Sequence, residues 1–419
     1  MGGNENTNME PVVPNNDILK PEVVPVLISE PVVEEGIIKE IASDKQPLVV
    51  SEPDKPEKEL GLDDFDIPEL SLENGTVFEK STGTVENSYQ GALQFGIIGL
   101  GQCGSRIAAS FEKLGYKKSL AINTARQDLH ALKFPEGQKL LLDIGMDGAG
   151  KDMLKGAEAA KAYKLEIMNL IENTFGENID KIIISFGIGG GTGSGAYAVV
   201  KEYVKEYFRN VLGREDADKC VCTIVAYPSK EDLHDKATRD NVVTIMEQLK
   251  TDNSYPLLIV DNDKIKHCAK GLTVSEFWPF VNNQIAGLFH RFNLISSLPS
   301  QYESFDTRDY LNVLNAGAVT IMGVLKADNS DDLSLALKNN LYNTLLSTNV
   351  EFSSIKVLGC IIVGGKNMFA TEGGLADKIN KAFGTISTIT KCDMIHNGIY
   401  EDSRECIRVY TIASGLQLK

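Results

Sequence analysis

Gly187-Ile188-Gly189-Gly190-Gly191-Thr192-Gly193-Ser194-Gly195 follows directly on the apolar run Lys181–Phe186. Residues 189–195 hold five glycines in seven positions. Each glycine costs backbone entropy, so this density exceeds what a turn needs and predicts close approach of a ligand to the main chain. The hydroxyls of Thr192 and Ser194 add donors. A helix expected from about Ser194 to Phe208 adds the positive end of its dipole. An anionic, phosphate-bearing ligand suits such a strand–glycine loop–helix unit.

Upstream, the chain repeats the arrangement. A strand over Leu93–Ile98 leads into Gly99-Leu100-Gly101-Gln102-Cys103-Gly104 and a helix from about Ser105 to Leu114. Taken literally this is GxGxxG, the dinucleotide fingerprint. That fingerprint also asks for an acid about 20 residues on, to hold a ribose hydroxyl. Here the second strand ends Ala121-Ile122-Asn123-Thr124-Ala125, with no acid before Asp128. An NAD(P)-dependent oxidoreductase is therefore a remote alternative. Neither loop is followed by Gly-Lys-Ser/Thr, so a Walker-type P-loop is excluded.

Around these loops strands alternate with helices. Strands are expected at Ser119–Ile122, Lys139–Asp143, Lys181–Phe186, Val221–Ala226 and Leu257–Val260, with a helix over about 152–174. The alternation predicts an α/β fold with a parallel sheet covered on both faces. A long helix runs from about Val274 to Ser297. It is followed by strands at Val319–Leu325, Ile355–Val363 and Cys406–Ile412 and helices near 331–346 and 374–384. The expected organisation is a ligand-binding domain at 91–273, a central helix at 274–299 and a smaller α/β domain at 300–419.

Charge separates a fourth segment. The chain carries 58 acidic and 42 basic residues, of which 20 and 6 lie in residues 1–90, so this segment supplies −14 of the net −16. It also holds nine of the 14 prolines. Proline removes backbone donors and like charge opposes collapse, so residues 1–90 are read as a disordered acidic tail. The remaining body is nearly neutral and has no basic stripe for nucleic acid. No apolar run of about 18 residues predicts a membrane span, and no secretory signal opens the chain. The seven cysteines show no CxxC spacing, and Cys220 and Cys222 sit in an apolar run without a nearby His. They are read as reduced core thiols in a cytoplasmic protein, and no metal site is assigned.

GGGTGSG at 189–195 matches the GGGTG[ST]G signature of the tubulin/FtsZ superfamily, and the chain resembles that family over roughly residues 93–417. Gly101-Gln102-Cys103-Gly104 is identical to the GQCG of the β-tubulin first nucleotide loop. Asn123-Thr124 resembles the VNTD strand end of FtsZ, with Ala125 where its Asp would stand. Gly148-Ala149-Gly150 is similar to the GAG of the third loop. Asp235 and Arg239 have the spacing of the ribose-contacting acid and arginine, with Glu231 as a competing choice. Phe280-Val281-Asn282-Asn283 occupies the start of the central helix, where Asn283 replaces a base-reading Asp. Ser304-Phe305-Asp306-Thr307-Arg308-Asp309 resembles the catalytic NxDxxD with Ser for Asn. Arg408–Gly415 is similar to the FtsZ terminal strand.

The resemblance implies a GTPase that binds GTP with Mg²⁺. Its nucleotide contacts would be Gly101, Gln102, Cys103, Gly104, Ser105 and Arg106; Gly148, Ala149 and Gly150; Gly189, Gly190, Gly191, Thr192, Gly193, Ser194 and Gly195; and Asp235, Arg239 and Asn282. It also implies head-to-tail homopolymers in which Asp306 and Asp309 of one subunit polarise the water attacking the GTP of the next, Asp309 most directly. Cell division, as for FtsZ, is the first expected role. A plasmid or phage tubulin-like filament for DNA segregation or positioning is the alternative, and a non-hydrolysing co-assembling regulator is another. Leu62–Leu70 resembles the adaptor-binding peptide found at FtsZ C-termini, which implies an adaptor or membrane-tether partner at the N-terminal tail.

Overall fold

The computed structural model describes residues 85–418, apart from 252–254, 270, 328, 345–349 and 405. The expected tail, including residues 62–70, therefore lies outside the described residues, save its last few. Those last few belong to the body. Asn87 Oδ1 accepts the Lys118 amide at 3.0 Å, and the Tyr89 ring stacks on Tyr116 at 3.8 Å.

The first half alternates as expected: β1 (Phe95–Leu100), α1 (Gly101–Lys113), β2 (Ser119–Asn123), α2 (Arg126–Ala131), β3 (Lys139–Leu141), α3 (Met153–Ala162), α4 (Lys164–Phe175), β4 (Lys181–Gly187), α5 (Gly191–Glu206), β5 (Val221–Tyr227), α6 (Lys236–Thr251), β6 (Leu257–Asp261) and α7 (Asn262–Cys268). Then come α8 (Val274–Ile295), α9 (Thr307–Asn315), β7 (Val319–Ala327), α10 (Leu333–Tyr342), β8 (Val350–Glu351), β9 (Val357–Gly365), α11 (Lys366–Thr371), α12 (Leu375–Thr390), β10 (Met394–Asp402) and β11 (Ile407–Leu418).

Strands β3-β2-β1-β4-β5-β6 lie side by side and all parallel. Every residue of β1 is buried, as is all but the last of β4 and of β5, which is why they read as unbroken apolar runs. The sheet continues through β7, β11 and β9 to the edge strand β10, with β11 antiparallel to β7 and β9. The two parts of this sheet join narrowly, at the single pair Leu257–Val319 and the Leu257 amide bonded to Ala318 at 3.0 Å.

Three expectations change. The helix expected over 152–174 is two helices, broken at Tyr163, so that Gly156, Ala159 and Ala160 of α3 are buried separately from Ile167 and Ile171 of α4. Both glycine-loop helices begin earlier than expected, at Gly101 and Gly191, inside the loops themselves. Helix α6 and strand β10 were not anticipated.

Helix α8 is the spine. Phe289 meets Phe95 at 4.9 Å and Phe111 at 5.8 Å, ring centre to ring centre. Burying one such ring stabilises the fold by about 1.5–3 kcal/mol. Asn293 bonds both the amide (2.9 Å) and the carbonyl (3.1 Å) of Leu93, just ahead of β1. The C-terminal end of α8 is thereby fixed beside the start of β1, and its N-terminal half extends towards the end of β1, where the first glycine loop begins. Among the described residues no helix is long and apolar enough to cross a membrane.

Candidate functional site

The strand order β3-β2-β1-β4-β5-β6 reverses direction between β1 and β4. Open α/β sheets bind ligands at such a switch point, beyond the carboxyl ends of the strands. Both glycine loops lie there, because Leu100 and Phe186, near the ends of β1 and β4, are register partners. The two helix starts nearly touch: a Cβ on Gly101, whose φ is +67°, would lie 3.1 Å from the Gly193 nitrogen.

Neither helix start is capped. α1 and α5 have no side-chain cap and no acid in the first turn, whereas α3, α7 and α9 are capped by Asp152, Asp261 and Asp306. Each uncapped start leaves free amides and a partial positive charge. An anion gains about 0.3–1 kcal/mol at one such end, more where it is partly buried. Two adjacent ends of this kind suit an anion such as a phosphate. The Ser194 hydroxyl, in the first turn of α5, is buried without a protein partner and is a further unmet donor. Thr192 has a different task. Its Oγ1 lies 2.6 Å from Thr124 Oγ1, which ties the second loop to the end of β2.

The glycines divide by use, and this corrects the view that their density reflects ligand approach alone. A Cβ on Gly195 would sit 2.1 Å from the Met153 carbonyl, and one on Gly191 2.7 Å from the Asp152 nitrogen. One on Gly104 would sit 1.9 Å from the Ser185 carbonyl. These positions, with Gly156 against Gly191, let α3, α5, α1 and β4 pack backbone to backbone. Gly190 is exposed with nothing within 4 Å, and Gly189 has φ +111°. Gly190 thus forms the open lip of the loop, whereas Gly189 is buried, and a Cβ there would lie 2.8 Å from Thr238 Cγ2. Cys103 packs against Gly187, and burial pushes its thiol up to about 11. Ser105 is buried on Gly99, while Arg106 is exposed.

The third loop lies alongside. Gly148 and Gly150 have φ +93° and +55°, and the Gly148 amide bonds Thr124 at 3.2 Å. Ala149 is buried against Gly191. Lys151, which the sequence reading passed over, follows at φ +66°. Its ammonium bonds Asp235 and Thr238, both at 3.0 Å. Asp235 caps the start of α6, and the Thr238 amide, then Lys151, hold its carboxyl down at about 2. Arg239 turns back onto the Leu233 and His234 carbonyls at 2.7 Å. Asn241 bonds Lys151 and Gly189, clamping α6 to both loops. Glu231 instead pairs with Lys266 of α7 at 2.8 Å. Asp128, the acid that comes too late for a dinucleotide site, is bonded by Gln102 (2.6 Å) and Asn123 (3.1 Å) at the mouth of the first loop.

Asn282 is buried on α8 and Asn283 beside it is exposed. Asn282 lies 11 positions before Asn293, about 16 Å along the helix axis towards the glycine-loop end. Asp306 and Asp309 come together at the start of α9, beyond the other end of α8. Asp306 Oδ1 accepts the Arg308 and Asp309 amides, and Asp309 Oδ2 accepts the Asp306 amide at 3.1 Å, a reciprocal capping box. Asp309 Oδ1 meets His396 Nδ1 at 2.7 Å. Ser304, in the Asn position of the family loop, is exposed. The 22-residue α8, about 33 Å long, thus lies between the two acids and the phosphate cradle.

A family model described as Tubulin/FtsZ family, GTPase domain, matches residues 94–270. The Pyrococcus furiosus protein named tubulin-like protein CetZ is 30% identical over 329 residues, covering 76% of this chain and 84% of that protein. The Thermococcus kodakarensis protein named cell division protein FtsZ 2 is 29% identical over 242 residues, covering 56% of this chain and 54% of that protein. Among solved structures, a GTPγS-form protofilament of TubZ from Bacillus thuringiensis serovar israelensis superposes with a TM-score of 0.67 at 18% identity, covering 78% of this chain and 89% of that one.

Proposed function

The chain belongs to the Tubulin/FtsZ family of GTPases, and on that premise we propose that it forms head-to-tail filaments and hydrolyses GTP where one subunit meets the next. One observation carries this reading: an uncapped double helix start at one end of α8 and a paired-carboxylate loop beyond the other. Stacking along the α8 axis brings the acids of one subunit onto the cradle of its neighbour. Such a heterologous contact does not close on itself and propagates as a filament.

In this reading the free amides at Gly101–Cys103 and Gly191–Gly193 hold the phosphates, and Lys151 brings a cation to the third loop. Asp235 and Arg239 stand at the rim for the ribose, and Asn282 for the base. A magnesium ion would need one or two protein carboxylates, and Asp128, beside the first loop, would supply one. The ion would offset phosphate charge. Asp306 and Asp309 of the adjoining subunit orient the water in line with the γ-phosphate and accept its proton. Their joint retention favours hydrolysis over a non-hydrolysing regulatory subunit. Cell division in the cytoplasm is the role favoured by the FtsZ-like terminal strand. The likeness to TubZ is one of fold and adds no weight to DNA segregation.

Phosphate release from GTP, measured against protein concentration, should be negligible below a threshold and rise above it. Filaments seen by electron microscopy should appear at the same threshold. Turnover per chain that is constant at every concentration would overturn the split site.

A further inference from the structure

Strand β10 is the edge of the sheet, and the acid-bearing loop hangs from it. The Ile399 amide donates to Glu303 at 2.8 Å, and the Ser300 hydroxyl donates to the Ile399 carbonyl. The Tyr400 hydroxyl takes the Phe305 amide at 2.8 Å and donates to the Phe305 carbonyl at 3.1 Å. At Gly398 a side chain would come within 2.9 Å of Phe305 Cβ, so the loop backbone can lie flat against the strand. One contact from β10 reaches a carboxylate directly: His396 Nδ1 to Asp309 Oδ1, 2.7 Å, with both side chains largely buried.

We propose that His396 is a positioning residue for GTP hydrolysis, orienting the Asp309 carboxylate from the edge strand; this rests on the reading of Asp309 as the acid that handles water. A carboxylate accepts, so Nδ1 must be the protonated nitrogen. His396 Nε2 is buried without a protein partner, so the ring is held through Nδ1. The capping box anchors Oδ2 to the loop's own backbone, and His396 anchors Oδ1 to a different element. Two anchors on two oxygens stop rotation about the last side-chain bond. A carboxylate has about four lone-pair positions, and the remaining ones stay available for a water. Without the imidazole only the Oδ2 anchor resists rotation of the carboxylate, while Asp306 still caps α9 through the Arg308 and Asp309 amides. Loss of alignment at the reacting group lowers the rate without lowering affinity for nucleotide or neighbour.

The test uses the full chain with three substitutions. His396→Leu removes the donor, His396→Gln moves it towards the Nε2 position, and His396→Asn keeps an N–H close to Nδ1. Turnover per filamentous subunit should fall by about 10- to 100-fold in His396→Leu and His396→Gln. The assembly threshold and the KM for GTP should be unchanged, and His396→Asn should recover most of the rate. If His396→Leu does not fold, the Gln–Asn contrast decides. Wild-type turnover in His396→Gln, or parallel losses of rate and assembly in all three, would overturn the proposal. Asp309→Ala in the same assay separates the premise: full turnover there removes the catalytic reading itself, whereas an inactive Asp309→Ala beside an active His396→Gln removes only the role of His396.

Discussion

Gly190 and Gly195 look alike in the sequence and differ in the fold. A methyl on Gly195 would collide with the Met153 carbonyl, which belongs to backbone and cannot swing aside. Gly195→Ala should therefore destabilise the protein by about 1–3 kcal/mol, read as a lower midpoint in chemical denaturation. A methyl on Gly190 meets nothing in the protein. Gly190→Ala should leave the denaturation midpoint unchanged and weaken GTP binding by about tenfold, or about 1.4 kcal/mol, in equilibrium titration. Equal losses of stability in both would show that the lip is also a packing position. The same contrast separates the hydroxyls, since Thr192 is spent on Thr124 while Ser194 has no partner in the protein.

At the scale of elements, the anchorage of α8 is polar as well as aromatic. His290 lies edge-on to Tyr89 and Tyr116, with Nδ1 3.2 Å from the Tyr116 hydroxyl. Burial, aided by the nearby Arg291, pushes this imidazole down to about 4. In the unfolded chain its value is about 6.5. Between these values the unfolded state binds a proton that the folded state refuses, so folding stability falls as pH falls through that window. His290→Gln should flatten this part of the profile, measured as denaturation midpoints from pH 7 to pH 4. An unchanged slope would place the pH sensitivity in other groups.

At the scale of the whole molecule, the proposed filament would need one cradle and one acid pair, from different chains, at each active interface. Mixing Asp309→Ala protein with an equal amount of wild type, at fixed total concentration above the threshold, should leave about half of the turnover, because half of the contacts present an intact pair. Filament mass, followed by sedimentation, should not change. Turnover falling to about a quarter would mean that both subunits at a contact must carry Asp309.

Much of this was legible in the chain before folding. The unbroken apolar runs of β1, β4 and β5 announced buried parallel strands, because residues with no polar alternation belong inside on both faces. The glycine loops announced two strand–loop–helix turns, whose helices start uncapped inside them. Other features depended on distant partners. β10 escaped notice because His396, Asn397 and Gly398 interrupt its apolar pattern, and its use is to carry the loop at 300–309 nearly a hundred residues away in sequence. Asp306 and Asp309 showed a helix-start spacing and took a catalytic role only from the family resemblance, whereas their mutual capping and the contact with His396 depend on the fold. Local chemistry was written in the order of residues: which segments bury themselves and which loops take an anion. Only the tertiary structure decided which glycines serve packing and which stay open, and what holds Asp309 in place. Those are distances between segments remote in sequence, set by the shared packing of the sheet and its helices.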